Sequence, residues 1–145
     1  MIKSISVKDL EGHEVDLISK YKGKILLVII YNNDCLGCTG RAIPLAYEFQ
    51  QKYNAIQVIG IHANVKNSIG TKENIKKVFT SGEIPFPIYI DEHHRVYDQF
   101  HSEGTPQWLL ITREGKLFRS FFGSQDGAQN RLYYAIEMLV GEVNQ

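Results

Sequence analysis

The chain reads as an α/β domain built on a mixed β-sheet, and three features of the sequence predict it. The continuous apolar run Ile25–Ile30 lacks the alternation of a half-exposed strand and so belongs in a sheet covered on both faces, and Ile56–Ile61 is a second apolar strand of similar type. A helical pattern joins them, which makes a βαβ unit. The chain then closes with a strand, a glycine-bearing turn, a returning strand and an amphipathic helix over 126–140. At 145 residues it is one domain by length, 1–145, large enough to bury a core without help from disulfides.

Taken in order, Ser4–Val7 and Val15–Leu17 are short β-prone pieces around Glu11-Gly12-His13 and form a hairpin in front of the main domain. After Lys22-Gly23-Lys24 comes the first buried strand. Ile43, Leu45, Ala46, Phe49 and Tyr53 then recur at helical spacing with Pro44 inside the pattern. A proline there lacks an N–H and clashes with the preceding turn, so it predicts a kink, and the periodicity beyond it argues against an end. Ile56–Ile61 is the second buried strand. Val65–Gly70 is a loop, and Ser68 or Thr71 caps an inserted helix that carries Ile75, Val78 and Phe79 on one stripe.

Ser81-Gly82, Pro85 and Pro87 stop that helix ahead of a strand at Ile88–Ile90, after which Asp91 caps a short helix reaching Val96, Tyr97 and Phe100. Gly104-Thr105-Pro106 leads into the strand 107–111. Arg113–Lys116 is a hairpin turn in which Gly115 can take positive φ, and 117–122 returns. The last helix lines up Ala128, Leu132, Ala135, Ile136, Leu139 and Val140, and Gly141 ends it.

Composition narrows the function. Sixteen Lys and Arg balance sixteen Asp and Glu, so no net field points to nucleic acid or to a membrane surface. The longest apolar run, Ile25–Tyr31, falls far short of the roughly 20 residues that span a bilayer. Charge at Lys3, Lys8 and Asp9 precedes any apolar core of a secretory leader. The expected location is therefore cytoplasmic if the chain is complete and extracytoplasmic if a leader has been removed. A monomer is expected. In a reducing compartment two cysteines point to chemistry or metal rather than to a structural staple.

Those cysteines, Cys35 and Cys38, lie in Asp34-Cys35-Leu36-Gly37-Cys38, where the first buried strand hands over to a helix. Two thiols at this spacing can close a disulfide without unwinding the helix. Cys35 falls near the capping position, where unpaired N–H groups and the helix dipole favour an anion. Such sites lower a thiol pKa from about 8.5 to somewhere between about 3.5 and 7.5, and the thiolate is the nucleophile. Cys35 is thus the expected attacking sulfur and Cys38 the resolving one. The same pair also reads as half of a zinc site, whose other ligands would come from His13, His62, His93, His94 or His101, none of which has finger-like spacing.

Cys35-Leu36-Gly37-Cys38 after a buried strand, Pro44 in the next helix, and Gly104-Thr105-Pro106 before a hairpin and terminal helix together resemble the thioredoxin superfamily. The N-terminal strands, the helical insertion and the run from Asp91 through Tyr97-Asp98-Gln99-Phe100 to Pro106 resemble its TlpA/ResA-like branch of thiol-disulfide reductases, grouped with the redoxin and AhpC/TSA proteins. The resemblance covers about Lys22 to Val140. It implies a thioredoxin-like fold with helices on both faces of the sheet, and exchange with disulfides of proteins or small molecules. It implies no bound cofactor or metal, since the electrons reside in the sulfur pair, and an electron donor that the sequence does not name. It also implies that Pro106 follows a cis bond beside the sulfurs, proline being the residue that makes such a bond accessible, and that the backbone of Thr105 pairs with a substrate strand.

The sequence departs from that pattern at four places. Asp34 replaces the usual tryptophan and puts a negative charge beside the nucleophile. The buried acid of thioredoxins falls on Ile29, and the glutamate of the branch falls on Arg41. Asp34 alone would raise a nearby thiol pKa, Arg41 either stabilises a thiolate or is a solvated first-turn residue, and without the acids the site is expected to be more oxidising or slower to resolve. Pro44 lies six residues past Cys38 instead of five, which a one-residue bulge in the first turn would accommodate. Two other functions are weighed. Peroxiredoxins carry Pro-x-x-x-Thr/Ser-x-x-Cys, which falls here on Val28, Asn32 and Cys35, and copper-delivery modules of this fold resemble Cys-x-x-x-Cys, one residue longer than here. His62 ends the second strand near the sheet's carboxyl edge, where a catalytic imidazole is weighed against the favoured reading of a loop histidine; His93-His94 read as surface, and Tyr31, Tyr97 and Trp108 as core or groove rim.

Overall fold

A computed structural model describes residues 1–79 and 81–143. Strands β1 (Ser6–Lys8) and β2 (Glu14–Asp16) form an antiparallel hairpin. β3 (Ile25–Tyr31), β4 (Ile56–Ala63) and β5 (Ile88–Asp91) run parallel, β6 (Gln107–Ile111) pairs antiparallel with β3, and β7 (Leu117–Phe122) pairs antiparallel with β6. The order across the seven strands is β2-β1-β5-β4-β3-β6-β7, so β3 lies at the centre of the parallel-to-antiparallel change.

The unbroken apolar run of β3 is explained by its place. All seven of its residues are buried. With the period-two alternation of a strand, Ile25, Leu27, Ile29 and Tyr31 enter one core with helices α2 (Ile43–Lys52) and α5 (Asp126–Val143) and with Ile75 of α3 (Lys72–Lys77). Leu26, Val28 and Ile30 enter the other, with Leu17 of α1 (Leu17–Lys20) and Val96 of α4 (Arg95–Gln99). Helices thus cover both faces, and each such side chain contributes about 1.5–3 kcal/mol by leaving water. Among the described residues no helix is long and apolar enough to cross a membrane.

Several boundaries differ from the sequence reading. Leu17 starts α1 rather than ending a strand, because Asp16 Oδ1 accepts the N–H groups of Ile18 at 3.1 Å and Ile5 at 2.9 Å. Thr71, not Ser68, caps α3: its Oγ1 accepts the Asn74 N–H at 3.2 Å while Asn74 Oδ1 accepts the Thr71 N–H at 2.7 Å. Asp91 ends β5, and His94 takes the cap position of α4 at φ 65°. The Asp91 carboxylate still serves that helix by accepting the Tyr97 N–H at 3.0 Å. Gly141 does not end α5, which continues to Val143. A helical glycine costs only about 1 kcal/mol against alanine, too little to stop a helix whose neighbours Ile136 and Leu139 are buried.

The helical stretch around Pro44 is not one uniform α-helix. A π-helical turn, Cys38–Ala42, precedes α2, with the Ile43 N–H bonded to the Cys38 carbonyl. Pro44 follows in the first turn of α2, and it has no N–H to give to the π turn before it. The π turn holds the extra residue that the Cys38-to-Pro44 spacing requires.

Candidate active site

β3 ends in mid-sheet and delivers the chain at its carboxyl edge to Asn32-Asn33-Asp34 and the cysteines. Cys35 and Cys38 are joined as a disulfide, their Cα atoms 5.2 Å apart, within the span that such a bridge requires. The N–H groups of Cys38 and Thr39 both return to the Cys35 carbonyl at 3.1 Å, so Cys35 opens the helical segment. The Cys38 N–H also points at Cys35 Sγ, 3.2 Å away. A donor so placed favours a thiolate there.

The two sulfurs have different surroundings. Cys38 is 0% exposed, in the same cluster as Ile29 and Trp108. Cys35 is half-buried on a cleft of about 290 Å³ shared with Asp34, Val65, Tyr97 and Thr105. Its Sγ lies 3.4 Å from the Thr105 carbonyl oxygen. The Thr105–Pro106 bond is cis, Pro106 is buried, and its carbonyl accepts the Gly123 N–H at 2.9 Å. Gly104 packs closely on the Phe122 ring: a Cβ there would stand 2.8 Å from it.

Asp34 is exposed at the edge of this cleft, and its N–H donates to Asn32 Oδ1 at 2.8 Å. Arg41 is exposed too, and its guanidinium lies 3.4 Å from the Ser124 carbonyl and 3.9 Å from Asp126 Oδ1. Arg41 therefore braces the turn between β7 and α5. Ile29 is buried in the cluster that holds Cys38.

A buried polar network behind the cysteine loop escaped the sequence reading. His62 lies in β4, not in a loop, and is 0% exposed. Its Nε2 accepts the Asn33 N–H at 3.2 Å. The proton of a neutral ring therefore sits on Nδ1, which donates to Asn64 Oδ1 at 2.9 Å. Asn64 Oδ1 also accepts the Gly70 N–H at 2.8 Å, and a Cβ on Gly70 would stand 2.7 Å from His62 Nδ1. Beside it, Asn32 donates to the Ala63 carbonyl at 3.0 Å and accepts from the Ser68 hydroxyl at 2.8 Å. The signal in the sequence was the cluster of amide and imidazole side chains where two adjacent apolar strands end, with Tyr31 in register with His62. His94 was read as surface. Its ring stacks 4.0 Å from that of Tyr97 and lines the Cys35 cleft. Among the described residues no three His, Cys, Asp or Glu side chains gather at one point.

Burial pushes the His62 pKa below its ordinary 6.5, against the opposing effects of the Asn64 hydrogen bond and the Asp34 charge. A depressed folded-state pKa stabilises the fold above the unfolded pKa, and that contribution is lost as pH falls through the folded value. Urea unfolding is accordingly expected to show stability dropping below about pH 6.5, with a shallower drop in His62→Gln. Parallel pH profiles for the two proteins would contradict this role for the imidazole.

Comparison with known proteins agrees with this geometry. The AhpC/TSA family pattern matches residues 1–120. Thiol-disulfide oxidoreductase YkuV of Bacillus subtilis (strain 168) is 26% identical over 95 residues, which take in 65% of this chain and 64% of the relative, just under two thirds of its length. A Chlorobium tepidum structure described as a thiol:disulfide interchange protein DsbE superposes with a TM-score of 0.78 at 20% identity, over 94% of this chain and 92% of that one. A thiol-disulfide isomerase from Corynebacterium glutamicum gives 0.76 at 24% identity, over 94% of both. The exposed lipoprotein thioredoxin Etrx1 of Streptococcus pneumoniae gives 0.74 at 16% identity, over 94% and 99%. These superpositions establish a thioredoxin-like fold. Since the matched span takes in most of the chain, with both cysteines and Pro106 inside it, this protein belongs to the AhpC/TSA family.

Proposed function

We propose that this chain is a thiol-disulfide oxidoreductase that exchanges its Cys35–Cys38 dithiol and disulfide with disulfides of proteins or small molecules. The asymmetry of the pair carries the reading: one sulfur faces a cleft with an N–H aimed at it, and the other is sealed in the core. In the reducing direction the Cys35 thiolate attacks one sulfur of the substrate disulfide. A mixed disulfide forms, and the other substrate sulfur leaves as a thiolate that takes a proton from solvent. Cys38, deprotonated, then attacks Cys35 Sγ and expels the second substrate thiolate. Two electrons have passed from the dithiol to the substrate, and a dithiol donor must restore them. The backbone of Thr105, beside Cys35, is placed to pair with an extended substrate segment. One chain holds both sulfurs, so a monomer suffices.

A peroxidase reading is less well supported. Asn32 stands where peroxiredoxins carry a hydroxyl, and its amide is committed to Ala63 and Ser68. Insulin reduction by dithiothreitol, followed by turbidity, tests the proposal. The protein should shorten the lag and steepen the rise, and a time course equal to that of dithiothreitol alone would refute it. Stopped-flow mixing of reduced protein with hydrogen peroxide separates the second reading, which requires fast oxidation of Cys35.

A further inference from the structure

At the end of the sheet opposite the cysteines, a cleft of about 530 Å³ opens between the start of β3, the turn joining β6 to β7, and the first residues of the chain. Small-molecule sites occupy volumes of this order. Its floor is apolar, formed by Ile2, Ile18, Tyr21, Leu26 and Ile111, the last two of which belong to the buried core. Its rim is cationic. Lys3, Lys22, Lys24 and Arg113 surround it against one acid, Glu114, and all five are exposed. Among the described residues none of those four cations joins an ion pair. Arg113 is held in place by donating from Nη1 to the Gly23 carbonyl at 2.9 Å.

The balance of sixteen cations and sixteen anions over the whole chain conceals this local excess. An apolar floor favours a hydrocarbon chain, and uncommitted cations above it favour an anionic head. We propose that this cleft binds a single-chain amphipathic carboxylate, with its hydrocarbon along the half-buried Ile2, Ile18 and Tyr21 and its head among Lys22, Lys24 and Arg113. At about 3.3 Å per residue, the length of β3 puts this site roughly 20 Å from Cys35. Binding there is independent of the sulfur chemistry and stands whether or not the chain proves to be a reductase.

The probe is dodecanoate, kept below its micelle concentration and titrated calorimetrically into the full chain. Saturable one-to-one binding is expected, with amide shifts mapping to Ile2, Ile18 and residues 111–115. Lys22→Gln combined with Lys24→Gln should weaken binding about tenfold, as should raising the salt to 1 M, where the screening length is about 3 Å. Acetate, which lacks the chain, should not bind. The double variant should keep any insulin reduction that the unaltered protein shows, since neither lysine is near the cysteines. Absence of saturation, affinity unchanged in the double variant, or amide shifts centred on the Cys35 cleft would each overturn the proposal. So would sedimentation with phosphatidylglycerol vesicles without binding of dodecanoate in solution, which would make the rim a lipid-surface patch.

Discussion

Cys35→Ser is expected to lower disulfide exchange to the uncatalysed background, a loss of roughly a thousandfold or more, as removal of a nucleophile does elsewhere. Cys38→Ser is expected to lose turnover for a different reason and to become a trap. The half-buried Cys35 still meets a substrate disulfide, and the mixed disulfide then persists because the sulfur that would displace it is gone. Mass spectrometry of the Cys38→Ser protein after exposure to oxidised substrate should show one substrate adduct on Cys35. The reduced unaltered protein should be alkylated by iodoacetamide first at Cys35, since Cys38 has no exposed surface. Both results follow from burial and from the Cys38 N–H directed at Cys35 Sγ. If Cys35→Ser instead formed adducts through Cys38 as readily, the assignment of attacking and resolving sulfur would be reversed.

What the sequence disclosed and what it hid divide along physical lines. β3 was legible because a strand buried on both faces needs apolar residues along its length, and such a run is visible without knowing its neighbours; β4 shows the same pattern with Gln57 and His62 as its polar members. The β6–β7 hairpin was legible because Gly115, at φ +86°, marks a turn that other residues rarely make. The bulge could be counted from the Cys38-to-Pro44 spacing, whereas its consequence for Pro44 needed the backbone itself. α1 stayed hidden because four residues carry no period, and its cap, Asp16, also binds Ile5, eleven residues away. The burial of His62 stayed hidden because one of its partners, Asn33, comes from the cysteine loop, and the other, Asn64, is itself held by the Gly70 N–H. Local pattern cannot show which distant groups will satisfy a buried imidazole. Arg41 looked like a tuning residue by its distance along the chain from Cys38, yet its side chain turns to Ser124 and Asp126.

Trp108→Ala should produce the largest loss of stability from a single change in the sheet, about 3–5 kcal/mol. That is a large share of the total of about 5–15 kcal/mol typical of a native fold. The indole is 0% exposed, on the strand between β3 and β7, with Ile29 and Phe121 as its cross-strand partners. Truncation leaves a cavity that a sheet paired on both sides cannot close by shifting. Trp108→Phe separates packing from hydrogen bonding. It keeps most of the apolar volume but removes the Nε1–H that donates to the Gly123 carbonyl at 3.0 Å, and the expected cost is about 1 kcal/mol. Gly123 in turn donates its N–H to the Pro106 carbonyl at 2.9 Å, so the indole steadies the segment that carries Thr105 beside Cys35. Urea denaturation should therefore rank the unaltered protein above Trp108→Phe and Trp108→Ala in that order, and insulin reduction below the unfolding range should fall in both variants. Equal stabilities for the two variants would show that the hydrogen bond outweighs the packing, and undiminished reduction in Trp108→Phe would disconnect Gly123 from the positioning of Pro106.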